Sequence, residues 1–169
     1  IIASTGAYVE CNGRQVYESL VEGEDLRFIT DYFEREGICY LLMTEDKLYA
    51  DRTFHDVVLP YMREAGYSED LIQGAYGDVR TTDSPASLHG VEKFSYFLSD
   101  KTTAQMSRDL DERFYVVDYS VGKLKTEKFF GEVTLAGVTK GSAILRYLEA
   151  AGASLEDTVA IGDSGNDID

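Results

Sequence analysis

In "GVTKGSAILRYLEAAGASLEDTVAIGDSGNDID", residues 137–169, a helical period gives way to an apolar run and then to a carboxylate-rich tip. Ala143, Ile144, Tyr147, Leu148 and Ala151 recur at helical spacing, and Gly152 supplies a stop. A polar loop then leads to Val159–Ile161, a short apolar run that predicts a buried strand. Helix, loop and strand in this order are half of a parallel α/β unit. The run ends on a tip that gathers Asp163, Asn166 and Asp167. In open α/β sheets ligands bind beyond the carboxyl ends of the strands, which is where Asp163 falls.

The chemistry of the tip follows from its residue types. Gly162 and Gly165 permit a tight backbone path and close approach of a ligand. A helix starting near Ser164 would turn free N–H groups toward an anion. Asp163 and Asp167 are four apart and share a face of a helical turn. Carboxylates crowded together repel, and a divalent cation or a lysine relieves that repulsion. Oxygen donors alone point to Mg²⁺. The tip thus offers a cation site beside an anion site, the pairing that phosphoryl transfer requires. The same residues also suit an acidic turn with helix caps. An EF-hand loop fails, because counting from Asp163 the third position is Gly165 and the sixth is Ile168.

Upstream the pattern differs. "IIAS" at the start predicts a short buried strand, and "GAYVECNGRQVYES" predicts a hairpin turning at Asn12-Gly13. Glu24 to Glu36 predicts a helix stopped by Gly37. "ICYLLM" and "KLYA" read as strands, and Phe54 to Ala65 as a helix that Pro60 kinks or begins. "GDVRTTDSPASLHG" reads as loop, "VEKFSYFLS" as strand, and Thr102 to Leu110 as a helix capped by Asp100 or Thr102. "RFYVVDYS" and "KFFGEVTL" are two further strands. Paired short strands with single helices make an α+β module over residues 20–132. Residues 1–19 and 133–169 then belong to a parallel-sheet α/β domain into which the module is inserted.

Lysine and arginine number 16 against 31 aspartate and glutamate, a formal net charge of −15 in 169 residues. That balance opposes nucleic acid and anionic membrane surfaces as partners. No run is long and apolar enough for a membrane span, and Ile1-Ile2 lacks the basic flank of a signal peptide, so a cytoplasmic protein is expected. The chain does not begin with methionine, which suggests a fragment or a processed chain. Cys11 and Cys39 form no metal-ligand pattern and read as free, part-buried thiols. His55 and His89 stand near no motif, and the aromatic residues fall mainly at core positions.

Taken together, "GVTKGSAI" followed by "VAIGDSGND" resembles the haloacid dehalogenase superfamily, and more narrowly its Cof-type phosphatases. The resemblance implies a Rossmann-like core with an inserted α+β cap. "IIASTGAYVECNGRQVYES" is similar to the stretch leading from core to cap, with Thr5 where relatives often carry asparagine. It implies a Mg²⁺-dependent phosphatase acting on a small phosphorylated metabolite such as a sugar phosphate. Lys140 would pair with the nucleophile and the substrate phosphate, and Asp163 would bind Mg²⁺. Asn166 would donate its amide to the phosphate, and Asp167 would orient Lys140 or the metal's waters. The loop Thr81 to Gly90 is a candidate contact for the leaving group. These enzymes attack with the first aspartate of an Asp-x-Asp placed after a buried strand. Asp109 to Asp111 has the bare spacing, but it sits among charged residues in a predicted helix and reads as a solvated face. The expectation is therefore a cap plus part of a core, inactive alone, with its nucleophile outside these residues. An inactive binding or regulatory protein, and a phosphomutase, are the alternatives.

Overall fold

The computed structural model describes residues 1–118, 128–162 and 167. Two sheets organise them. The smaller is an antiparallel, three-stranded sheet of β1 (Ile2–Ala3), β2 (Tyr8–Cys11) and β3 (Arg14–Glu18). Asn12 (φ 53°) and Gly13 (φ 74°) carry the β2–β3 reversal, two left-handed residues as the twist of a tight hairpin demands. β1 is exposed on this sheet's edge, with Ile1 at 68% of its surface free, so the expected buried strand is here a short surface one. Within the sheet its one neighbour is β2, and α5 (Lys140–Ala151) packs against it.

α1 (Gly23–Glu36) follows and ends on Gly37 in the left-handed conformation. It buries Leu26, Ile29, Tyr32 and Phe33, the 3–4 spacing of a helix with one apolar face. Then come β4 (Cys39–Thr44) and β5 (Leu48–Ala50). A single π turn, Phe54–Val58, runs into α2 (Leu59–Glu64), with the Leu59 N–H bonded to the Phe54 carbonyl. Pro60 explains the junction. It has no N–H to return to the preceding turn, so the chain re-registers there and Pro60 enters the first turn of α2.

α3 (Glu69–Tyr76) was not expected, although Ser68 caps it by accepting the Leu71 N–H. After β6 (Arg80–Thr81) come β7 (Val91–Ser99), α4 (Thr103–Asp109), β8 (Phe114–Asp118) and β9 (Phe129–Leu135). Thr102 caps α4 in a reciprocal box with Gln105, which settles the choice between Asp100 and Thr102. The larger sheet runs β6-β5-β4-β7-β9-β8. Every pairing in it is antiparallel except β5 with β6.

Both faces of the larger sheet are covered. Tyr40, Leu42, Phe94, Tyr96, Val116 and Val133 meet α1 and α4 on one face. Leu41, Phe97 and Phe130 meet the π turn, α2 and α3 on the other, through Phe54, Val58, Met62 and Ile72. This double burial explains why β7 is covered along nearly its whole length.

α5 (Lys140–Ala151) starts five residues after the end of β9 and packs on the smaller sheet. Thr139 caps it by accepting the Ser142 N–H at 3.0 Å, and Gly152 ends it in the left-handed conformation. Beyond α5 the expected buried strand does not form. Val159 and Ile161 form no strand and are 90% and 96% exposed. A parallel strand requires neighbours to supply its ladder hydrogen bonds, and neither sheet among the described residues offers one there. Both cysteines are free, as expected. Among the described residues no helix is long and apolar enough to cross a membrane.

Candidate active site

The site is assembled at the N-terminal end of α5. Lys140 is the helix's first residue, and its ammonium is ion-paired with Asp167 Oδ1. Lys140 is about a third exposed (36%) and Asp167 less so (19%), so the pair sits at the surface with its carboxylate turned inward. The two are 27 positions apart in sequence and meet here. Gly162 makes room for this. A Cβ at residue 162 would run into the Asp167 side chain, so only glycine lets the chain bend back closely enough. Asp163, Ser164 and Asn166 lie outside the described residues.

The local frame of Lys140 is built from both ends of the chain. The capping box of Thr139 and Ser142 fixes the first turn of α5. Against it sits the turn Ser4–Gly6, whose three residues all have positive φ (50°, 56° and 100°). Gly6 lies so close to the Thr139 carbonyl that a side chain there would overlap it. On its other side this turn meets charged side chains of the larger sheet. Thr5 Oγ1 donates to Glu132, Lys93 Nζ donates to Thr5 Oγ1 at 2.9 Å, and Lys93 is ion-paired with Glu132. Ser4 donates to Glu92 beside them. Thr5, Glu92, Lys93 and Glu132 are all buried. This cluster has no signature in the sequence, because it depends on register. Ser95 faces Glu132 across β7 and β9, so Lys93, two residues away, is Glu132's diagonal neighbour on the same face.

As a metal centre the described residues are incomplete. No group of three histidine, cysteine, aspartate or glutamate side chains among them is placed to hold a metal ion. One carboxylate oxygen of Asp167 is engaged by Lys140, which suits a group that orients the lysine better than one that binds a metal directly. Asp109 and Asp111 do not form a second site. Asp109 pairs with Lys101 at 2.6 Å and accepts from Tyr32, and Asp111 pairs with Arg113. Those cations hold both carboxyls below the usual range, so neither is poised to carry a proton at neutral pH.

The family model of haloacid dehalogenase-like hydrolases matches residues 1–169, and the chain belongs to that family. Among solved structures, a HAD subclass IIB sugar phosphatase, BT4131, is 20% identical with a TM-score of 0.67, covering 97% of this chain and 57% of its own. SMU.1108c from Streptococcus mutans UA159 is 19% identical with a TM-score of 0.69, covering 99% of this chain and 59% of its own. A haloacid dehalogenase-like hydrolase from B. subtilis is 21% identical with a TM-score of 0.67, covering 98% and 63%. At these identities the likeness is one of fold. The chain spans less than two thirds of the length of these neighbours. No curated protein matches it in sequence.

Proposed function

We propose that the chain forms the cap and part of the core of a Mg²⁺-dependent phosphatase that hydrolyses a small phosphorylated metabolite, with a sugar phosphate as the favoured class. The observation that carries the proposal is the Lys140–Asp167 ion pair at the capped first turn of α5, in a chain of the haloacid dehalogenase-like family. An ammonium fixed at a helix start is a positive point charge for a phosphoryl oxygen, and charge placed before reaction stabilises the transition state. Asp167 holds that ammonium in place, and Asn166 would donate its amide to the same phosphate. Asp163 would bind the Mg²⁺, which supplies charge neutralisation at the phosphoryl group. In this reading residues 20–132 are the cap, with 1–19 and 133–169 as core, and the attacking aspartate lies outside these residues.

The test uses the full-length protein with p-nitrophenyl phosphate and a panel of sugar phosphates. Turnover should require Mg²⁺ and cease with EDTA. Lys140→Ala should lower kcat by about 10²–10³-fold, the magnitude of one lost charge-stabilising group. Full activity in Asp163→Ala, or turnover indifferent to Mg²⁺, overturns the assignment.

A further inference from the structure

We infer that the buried Lys93–Glu132 pair is a positioning device for Lys140, acting through the left-handed turn at residues 4–6. This rests on the reading of Lys140 as the phosphate-binding lysine. The path is continuous. Lys93 and Glu132 project from neighbouring strands of the larger sheet, pair with each other, and both hydrogen-bond the Thr5 hydroxyl. Thr5 is a β-branched residue at φ 56°, a conformation it does not adopt without restraint. Its two buried partners supply that restraint. The next residue, Gly6 at φ 100°, is seated against the Thr139 carbonyl. That carbonyl accepts the Ala143 N–H at 3.0 Å, while the Thr139 hydroxyl accepts the Ser142 N–H. Lys140 stands between these anchors as the first residue of the helix.

A charge pair explains this better than a purely structural contact would. Burying two charges carries a desolvation penalty, and an apolar pair of similar size would serve packing as well. What the pair does that apolar groups cannot is fix one hydroxyl from two directions. Lys93 and Glu132 touch no reacting atom in this arrangement; they act on catalysis by placing the turn, and the turn places the helix start.

The experiment uses the full-length protein carrying Thr5→Val, and separately the double substitution Lys93→Met with Glu132→Gln, which leaves no unpaired charge. Amide hydrogen exchange at Ser142 and Ala143 should quicken about tenfold or more in both, whether or not the protein is an active phosphatase. kcat should fall by roughly 10–100-fold, the usual effect of losing a supporting contact. The loss should be the same for p-nitrophenyl phosphate and a hexose phosphate. Adding Lys140→Ala to Thr5→Val should cost little beyond Lys140→Ala alone, because both act through one group. Unchanged exchange at Ser142 and Ala143 overturns the inference, and so does strict additivity with Lys140→Ala. A loss confined to the hexose phosphate also overturns it, since the pair would then be touching the leaving group. If the double variant does not fold, Thr5→Val decides alone. If the wild-type protein hydrolyses no phosphate ester, the phosphatase reading fails and hydrogen exchange still decides the positioning.

Discussion

A half-buried thiol and a buried charge pair show how far a residue's role depends on what surrounds it. Burial pushes the Cys39 thiol up from its ordinary value, and Asp51 adds to the rise while a hydrogen bond with Thr53 opposes it. The folded state therefore favours the neutral thiol. That contribution to stability is fully present below the unfolded thiol pKa and is lost as pH rises from there through the higher folded pKa. In a Cys11→Ser background, Cys39 should react with a disulfide reagent more slowly at about pH 8.5 than the same protein unfolded in guanidinium. Equal rates would remove burial as the cause. Single residues also mark the limits of the sequence. Lys140 and Asp167 could be placed together only through the family resemblance of their motifs. Lys93 and Glu132 had no such guide. In "VEKFSYFLS" Glu92 and Lys93 look like exposed charges at the start of a strand, yet Ser4 and Thr5 of the turn bond both and both are buried.

Elements were legible where punctuation was explicit. Asn12-Gly13, Gly37 and Gly152 each stand where the chain reverses or a helix stops. α3 escaped notice because Gly74 interrupts a short segment, leaving Ser68 as the one clear start signal. Val159–Ile161 misled because an apolar run specifies burial without specifying what buries it. The caps permit a quantitative check. Thr139→Ala should destabilise the fold by about 1 kcal/mol through loss of the α5 cap, and Thr102→Ala should do the same for α4. Urea denaturation of each variant measures this. A loss of the same size for Thr103→Ala, one residue inside the α4 cap, would show that the caps are not the cause.

The whole molecule carries a net charge of −15, and its ion pairs are mostly at the surface. Self-repulsion among the excess carboxylates should therefore outweigh the weak exposed pairs, and added salt should relieve it. The melting temperature is expected to rise between about 10 mM and 150 mM NaCl, as the Debye length shortens from roughly 30 Å to 8 Å. A fall would mean that attractive pairs dominate. The π turn at Phe54–Val58 bears on a different property of the whole chain, its tolerance of changes in length. A π turn accommodates one residue more than an α-helix does, so it can be regarded as an insertion held in place by its surroundings. Deleting a residue from it would restore α-helical register and rotate Phe54 by roughly 100° about the helix axis. Phe54 would leave its edge-on contacts with Tyr76 and Phe97. Val57 is 45% exposed, and Val57→Ala should be nearly neutral. Removing Val57 altogether should cost as much as emptying the core at Phe54, about 3–5 kcal/mol. An exposed residue whose identity is free but whose presence is required would make this segment intolerant of deletion while it remains open to substitution.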